Sequence, residues 1–331
     1  MTPPFFTIGI PTYNREKLLK ITLDAVLGQT FADFEVIIYD NASTDGTHDL
    51  VAGYADPRIR YFRQKEHVRA GQNWADTAAA ASGEFLVINQ DDDLLHRDFL
   101  LRCQQAVVGR EDVVMYAAPV WREERGRGYQ ARLLRTNEGY VHDFLLNDEV
   151  IYMDGARMAI SLLNLVYYFL QPSVAIRRAA MLRAGGYVSR SDCQHDIMTE
   201  AKVLMQGRLA YDPRPGAIYR DHDANAWKNY SRPLRRKLLA QTLVLIIEEL
   251  VQAGIPWEEH FDAELKGFSK RDLEQALKDW CWCGAPAILS DKAVDELRLR
   301  QPSVSSLSFN ARMTRKLGWR YLKQRLMKSQ G

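Results

Sequence analysis

Short runs of mainly apolar residues recur along the first 120 positions, and segments with helical periodicity lie between them. The apolar runs predict buried strands at 5–10, 34–39, 59–62, 84–89 and 112–117. The segments between them predict helices at 15–27, 47–54, 72–81 and 94–107. Strands without polar alternation are typical of a parallel sheet that is covered on both faces. The pattern therefore predicts an α/β fold with a Rossmann-like, mostly parallel sheet flanked by helices.

The pattern changes twice after residue 120. It weakens from Trp121, where the charged segment 123–128 predicts a loop and strands are predicted only at 171–176 and within 208–219. Beyond Ser231 the chain becomes helical, with helices predicted at 235–253, 262–282 and 293–300 and a helix-compatible tail at 310–328. We therefore expect an α/β domain over residues 1–230, followed by a helical extension with a basic C-terminal tail over residues 231–331.

Composition narrows the class of protein. The chain has 331 residues, of which 47% are hydrophobic and 26% charged, as is ordinary for a globular protein. A net charge of +2 does not point to a nucleic-acid partner. The apolar stretches, such as 243–247, are too short to cross a bilayer. The first four residues lack the basic region of a signal peptide, so a cytoplasmic location is expected. The four cysteines lack the spacing of a zinc site, so reduced thiols are expected.

Three consecutive aspartates form the strongest candidate site. Asp91, Asp92 and Asp93 follow the strand predicted at 84–89, and ligands of open α/β sheets bind beyond the carboxyl ends of the strands. Adjacent carboxylates repel one another unless a cation lies between them, and hard oxygen ligands suit Mg²⁺ or Mn²⁺. The alternative is an exposed acidic turn that caps the helix predicted at 94–107.

Asp40 is a candidate for nucleotide binding because it ends the second predicted strand, at the same edge of the sheet. Its carboxylate could accept a hydrogen bond from a nucleobase N–H or a ribose hydroxyl. Alternatively, Asp40 is a turn residue that bonds the backbone of Ala42 or Ser43.

Further candidates follow the first strand and surround the start of the third helix. Thr12 and nearby backbone amides could face a nucleotide, and Arg15 could approach its phosphates. Arg69 and Asn73 lie at the alanine-rich helix. As isolated residues, the two arginines would more often be solvated surface charges.

Several ordered blocks of sequence resemble family 2 of the glycosyltransferases, a large inverting family with the GT-A fold. The blocks are 8–15 (IGIPTYNR), 34–46, 70–74 and 82–85, and they precede the three aspartates as they do in the family. The resemblance is close over residues 5–100 and looser over 171–231. It implies a nucleotide-binding half (1–120), an acceptor half (121–230), and transfer of a sugar from a nucleotide-sugar, by default a UDP-sugar, to an acceptor hydroxyl.

The resemblance also implies roles for individual residues. Those expected at the nucleotide are Pro11, Thr12, Tyr13, Arg15, Asp40, Arg69, Asn73, Asp91 and Asp92. Asp93 would be the principal ligand of Mn²⁺ or Mg²⁺. Asp91 is a second candidate ligand, because Gln90 stands where many relatives carry the first aspartate of an Asp-x-Asp motif.

The second half of the chain supplies the remaining predicted site residues. Segment 194–196 resembles the family's acidic motif, which implies that Asp196 is the general base for the acceptor hydroxyl; otherwise Asp196 caps a helix at 197–205. Segment 219–222 resembles the late Tyr-Arg-x-His segment, so His222 could reach the metal or the diphosphate, although a lone histidine is as often structural. Segments 171–173 and 185–187 resemble parts that shape the acceptor site.

The basic tail and the overall class each leave alternatives open. The tail could be an interfacial helix on anionic lipid, which would place the chain at the inner face of the cell membrane and suit a lipid-linked saccharide acceptor. It could instead dock on the catalytic domain.

Besides a glycosyltransferase, the sequence is compatible with a sugar nucleotidyltransferase. That class usually carries a glycine-rich phosphate loop near its first strand, and segment 11–15 is not such a loop. A non-catalytic nucleotide-sugar binding module is the third interpretation.

Overall fold

A computed structural model describes residues 2–124, 128–132, 149–163, 171–187, 195–220, 222, 231, 246 and 249–256. The strands are β1 (Phe6–Thr12), β2 (Phe34–Asp40), β3 (Ile59–Arg63), β4 (Phe85–Ile88), β5 (Leu94–Leu95), β6 (Val113–Ala117), β7 (Val120–Glu124), β8 (Gly128–Arg132), β9 (Ile151–Asp154), β10 (Val174–Arg177), β11 (Arg208–Tyr211) and β12 (Ala217–Arg220). The helices are α1 (Glu16–Leu27), α2 (Thr47–Ala52), α3 (Ala70–Ala79), α4 (Phe99–Val107), α5 (Gly155–Leu163), α6 (Arg178–Arg183) and α7 (His195–Leu204).

The large sheet has eight strands in the order β3-β2-β1-β4-β10-β6-β11-β9. The pairs β1–β2, β1–β4, β2–β3 and β6–β11 are parallel, whereas β9 and β10 run antiparallel to their neighbours. The predicted mostly parallel sheet is therefore confirmed. Thr12 pairs with Asp40 at the ends of β1 and β2, and the chain beyond β4 emerges at the same edge. This edge is where a ligand of such a sheet is expected.

Apolar side chains cover both faces of the large sheet. Helices α1, α2 and α4 pack on one face, and α3, α5, α6 and α7 pack on the other. Ile37 and Ile38 are consecutive in β2 but belong to opposite hydrophobic clusters. Because neighbouring residues of a strand point to opposite faces, this double burial explains why the strands show no polar alternation.

Two predicted elements differ from the structure, and both differences arise from the small sheet β5-β12-β7-β8. The helix predicted at 94–107 begins only at Phe99, because Leu94 and Leu95 pair with β12 instead. The loop predicted at 123–128 is wrong at both ends, because Glu123 and Glu124 end β7 and Gly128 begins β8. Backbone pairing in a hairpin does not depend on whether the side chains are charged, so local composition misled both predictions.

The described part of the extension packs on the α/β domain. Ile246 and Leu250 are fully buried in the hydrophobic cluster that contains Ile197 of α7, and Lys202 forms an ion pair with Glu249 at 3.3 Å. Residues 249–252 are helical, within the helix predicted at 235–253. The helices predicted at 262–282 and 293–300 and the basic tail lie outside the described residues. Among the residues that are described, no helix has the length and apolar character to span a membrane.

Gly155 lies where α5 meets the turn that follows α7. A β-carbon there would lie 2.1 Å from the carbonyl oxygens of Leu204 and Gly207. Because the backbone yields less readily than a side-chain tip, we expect Gly155→Ala to lower the free energy of unfolding by about 1–3 kcal/mol in urea titrations. Gly28→Ala is the control, since its nearest contact would be 3.3 Å from the Asp24 oxygen. Equal losses for the two variants would contradict this explanation.

Candidate functional site

The three aspartates are buried at the carboxyl end of β4. Asp91, Asp92 and Asp93 are 7%, 4% and 0% exposed. They form neither an exposed turn nor the cap of α4, which starts six residues after Asp93. We call these three residues the carboxylate cluster. Burying three adjacent carboxyl groups is unfavourable unless nearby groups compensate their charge.

Side chains of β1 and α1 hold the carboxylate cluster in place. The Thr12 hydroxyl donates a hydrogen bond of 2.8 Å to Oδ2 of Asp91. The Thr22 hydroxyl lies 3.0 Å from the main-chain oxygens of both Asp91 and Asp93. The first strand and the first helix therefore fix the backbone of the cluster as well as one of its side chains.

Two basic side chains approach the cluster at Asp91 and Asp92. The Arg15 guanidinium is an ion-pair partner of both, at 3.4 Å from Oδ1 of Asp91 and in closer contact with Oδ2 of Asp92. Nε2 of His222 lies 3.0 Å from the same Asp92 oxygen. The structure thus brings together six of the predicted site residues, which are Thr12, Arg15, Asp91, Asp92, Asp93 and His222.

Arg220 is a further basic residue at the cluster, and the sequence did not mark it as a site residue. Its backbone N–H donates to Oδ1 of Asp93 at 3.0 Å, and its guanidinium donates to the main-chain oxygen of Asp92. It also donates to the Thr22 hydroxyl at 2.9 Å. Oδ2 of Asp93 is buried and has no hydrogen-bond partner in the described part of the chain.

Burial and mutual repulsion separate the pKa values of the three carboxyl groups. Burial, reinforced by the charge of Asp92, raises the pKa of Asp91 to about 7, although Arg15 and Thr12 oppose this shift. Burial and Asp92 likewise hold the pKa of Asp93 well above its ordinary value. For Asp92, burial is outweighed by His222 and Arg15, so its pKa is lowered. Asp92 therefore carries the negative charge of the cluster most firmly.

The raised pKa of Asp91 predicts that stability falls as the pH rises. Between about pH 4 and 7 the folded protein retains a proton that the unfolded chain releases, so the free energy of unfolding decreases with pH. In denaturation curves at pH 5, 6 and 7, we expect Asp91→Asn to reduce this slope by up to about 1.4 kcal/mol per pH unit. Asp56→Asn should not change it, because the Asp56 pKa is lowered by Arg58. A slope that is identical in wild type and Asp91→Asn would refute the assignment.

The cluster offers hard oxygen ligands, including the unpartnered Oδ2 of Asp93. Within the described residues, no group of three or more His, Cys, Asp or Glu side chains surrounds a common metal position. The residues therefore fit a cation that is held by one or two carboxylates and completed by phosphate oxygens and water, the arrangement usual for Mg²⁺.

Asp40 and Asn73 are buried at the end of β2 and in the first turn of α3. Asp40 is fully buried, and its carboxylate accepts from the Ser43 N–H at 2.8 Å and the Tyr61 hydroxyl at 2.5 Å. The contact with Ser43 is the turn contact considered from the sequence. Asn73 donates to the main-chain oxygen of Tyr39 at 3.0 Å, which ties α3 to β2.

The loops after β1 and β2 are joined by Asn14. Its N–H donates to the Ser43 hydroxyl at 2.9 Å, and its side-chain oxygen accepts from the Thr44 N–H at 2.7 Å. Asn14 and Ala42 both adopt positive φ, which favours a short or flexible residue. No motif in the sequence predicts this connection.

The other residues predicted at the nucleotide differ in exposure. Pro11 is buried within β1, whereas Tyr13 is 42% exposed, with its ring 4.3 Å from the His67 ring. Arg69 directly precedes α3. Tyr13 is therefore the predicted residue whose ring is open to a planar ligand.

Asp196 lies in the first turn of α7, which begins at His195. Its Oδ1 accepts from the Ile197 N–H at 3.0 Å, and within the described residues no hydrogen bond joins Asp196 to the carboxylate cluster. One turn later, Glu200 is fully buried and accepts from the Gln171 amide at 3.0 Å. Burial, with the charge of Asp196, holds the pKa of Glu200 well above its ordinary value.

The missed residues differ in how visible they are in the sequence. Arg220 belongs to the Tyr-Arg-x-His segment, so its position beside His222 was an available signal. For Thr22 no such signal exists, because its position is that of an ordinary residue in an amphipathic helix. The pairing of β12 with β5 brings Arg220 to the aspartates, and the position of α1 brings the Thr22 hydroxyl to their main-chain oxygens.

Comparison with known proteins gives one family. The sequence profile of Glycosyl transferase family 2 matches residues 7–180. A GalNAc(5)-diNAcBac-PP-undecaprenol beta-1,3-glucosyltransferase of Campylobacter jejuni is 34% identical over 95 residues, which is 28% of this chain and 31% of that protein. Eight curated relatives each align over only 15–37% of their own length.

Solved structures show the same fold over most of the chain. S. aureus TarS 1-349 in complex with UDP-GlcNAc superposes with a TM-score of 0.61 at 16% identity, over 96% of this chain and 92% of that one. The mannosyltransferase PcManGT from Pyrobaculum calidifontis, in complex with GDP-Man and Mn2+, gives 0.53 at 19% identity, over 96% and 86%. The fold is GT-A, as the resemblance implied.

Proposed function

The chain belongs to glycosyl transferase family 2, and we propose that it transfers a sugar from a nucleotide-sugar to a hydroxyl of a saccharide or lipid-linked saccharide. The observation that carries this proposal is the buried carboxylate cluster, which lies with Arg15 and His222 at the ligand-binding edge of the sheet. The lipid-linked acceptor is suggested by the Campylobacter jejuni relative, whose name includes a diphosphate-linked undecaprenol.

The proposed donor site lies at the ends of β1, β2 and β4. The exposed ring of Tyr13 can stack on a nucleobase, and Arg15 can pair with a phosphate. A UDP-sugar is the default, and UDP-GlcNAc in the TarS structure supports it. Mn²⁺ or Mg²⁺ would be held by Asp93, with Asp91 and His222 as further candidates. Bound there, the cation would stabilise negative charge on the departing diphosphate.

Asp196 is the proposed general base. The acceptor oxygen attacks the anomeric carbon of the donor sugar, the bond from that carbon to the diphosphate oxygen breaks, and Asp196 takes the proton of the hydroxyl. A single displacement of this kind inverts the anomeric centre. Glu200, one turn later on the same helix, is fully buried, whereas Asp196 is half-buried and so open to an acceptor hydroxyl.

The test is a transfer assay with the full chain. UDP- and GDP-sugars are supplied with undecaprenyl-diphosphate-linked saccharides, with Mn²⁺ or with EDTA, and both the nucleoside diphosphate and the extended saccharide are measured. Equal amounts of the two products, lost with EDTA, are expected. In a parallel assay with UTP or GTP and a sugar 1-phosphate, pyrophosphate formation would identify a nucleotidyltransferase. Donor binding without any product in either assay would identify a binding module. Vesicle sedimentation tests the separate proposal that the basic tail contacts anionic membranes.

A further inference from the structure

We propose that Arg15 is a counter-ion that exchanges places with the divalent cation. In the ligand-free protein its guanidinium holds the carboxylate cluster, and it moves to the diphosphate when cation and nucleotide enter together. The inference rests on the proposed function and assigns to Arg15 a role beyond contact with the nucleotide.

The contacts of Arg15 show what it does without a ligand. It is the ion-pair partner of two carboxylates at once, Asp91 and Asp92, and its side chain is only 18% exposed. Without it, the buried cluster would lose the one described side chain that pairs with both Asp91 and Asp92, and repulsion between these two groups would increase. The Arg15 guanidinium therefore already compensates the negative charge of the cluster when no metal ion is bound.

This arrangement makes Arg15 and a divalent cation competitors for the same oxygens. A cation that enters alone displaces a largely buried guanidinium from the two carboxylates with which it pairs, which is unfavourable. A cation that enters with a nucleoside diphosphate brings the anion to which the guanidinium can turn. Arg15 directly precedes α1, so its own long side chain can move without displacing the helix.

Competition of this kind requires that cation and nucleotide bind cooperatively. The nucleotide accepts the guanidinium that opposes cation binding, and the cation frees the guanidinium to pair with the nucleotide. By thermodynamic linkage, each ligand therefore raises the affinity for the other by the same factor. Mn²⁺ alone should bind weakly to the wild-type protein, and a nucleoside diphosphate should tighten its binding.

The test is a titration of the full chain with Mn²⁺, with and without UDP or GDP. Electron paramagnetic resonance of the free ion measures how much Mn²⁺ is bound. In Arg15→Gln we expect Mn²⁺ alone to bind about ten- to a hundredfold more tightly than in wild type, because a charged contact that opposes it is gone. The tightening by nucleotide should shrink correspondingly. Arg15→Lys keeps the charge but cannot bridge both carboxylates. Its affinity for Mn²⁺ alone should therefore lie between those of wild type and Arg15→Gln.

Lys20→Gln is the charge-matched control, because Lys20 lies on α1 and pairs with Asp24 at the surface. It should leave Mn²⁺ binding unchanged. If wild type binds Mn²⁺ with nucleotide but Arg15→Gln and Arg15→Lys do not gain affinity for Mn²⁺ alone, the exchange role is overturned while the proposed function stands. If no protein binds Mn²⁺ even with nucleotide, both proposals fail. Thermal unfolding identifies a variant that has lost its fold.

Discussion

Replacing Asp93 by asparagine is expected to remove cation-dependent donor binding while leaving the fold as stable as before or more stable. Oδ2 of Asp93 is buried without a partner, and burial holds the carboxyl pKa well above its ordinary range. Asparagine keeps the oxygen that accepts from the Arg220 N–H and relieves repulsion with Asp92. A residue whose removal stabilises the protein but abolishes function is one retained for a ligand.

The measurements are nucleotide affinity by calorimetry with and without Mn²⁺, transfer rate, and thermal midpoint. We expect Mn²⁺ to lose its effect on nucleotide affinity in Asp93→Asn, and transfer to fall about a thousandfold, as when a main source of transition-state charge stabilisation is removed.

Asp212 provides a matched control, since it is equally buried but fully bonded. Its carboxylate accepts from the Tyr116 hydroxyl at 2.7 Å and pairs with Arg102 and Arg214. Asp212→Asn should therefore cost about 3 kcal/mol of stability through the buried arginine that it leaves behind, and should keep Mn²⁺-dependent binding. If Asp93→Asn behaves like Asp212→Asn, the carboxyl group of Asp93 is structural.

Asp196→Asn is the second substitution with a large expected effect. It should leave donor binding unchanged and lower the rate of transfer by about a hundredfold to ten-thousandfold, the usual contribution of a positioned base. Single-turnover transfer with saturating donor measures the chemical step, and calorimetry measures donor affinity.

The alternative for Asp196 is a contribution to the start of α7, where it accepts from the Ile197 N–H. Asp154 does the equivalent at α5, accepting from the Arg157 N–H at 2.8 Å. Asp154→Asn therefore controls for the loss of a helix-terminal carboxylate, with a small loss of stability and normal transfer. If Asp196→Asn retains full transfer, the base lies elsewhere.

The sequence predicted those parts of the fold and site that depend on local pattern. Uninterrupted apolar runs gave the strands of the parallel half, and aspartates directly after a strand gave the carboxylate cluster. The position of Asp92 between Arg15 and His222 could not be predicted from spacing, because those residues lie 77 and 130 positions away from it. Only the folded chain shows that basic groups neutralise the cluster.

The less successful predictions share a different cause. Leu94 and Leu95 continue a helical pattern, yet they form a strand because β12 offers them partners more than 120 residues later. The Tyr61 hydroxyl that donates to Asp40 is likewise a tertiary partner that the local sequence does not show. Local propensity decides an element only where no distant strand competes for it.

The burial of Ile246 and Leu250 with Ile197 has a practical meaning for anyone who shortens this protein. Residue 230 looks like a natural place to cut, since the α/β pattern ends there. A fragment that stops at that point would uncover apolar side chains on the helix that carries Asp196, and it would lose the Glu249 partner of Lys202. Aggregation of such a fragment would result from the loss of the residues that cover α7, and it would not indicate a defect of the candidate functional site.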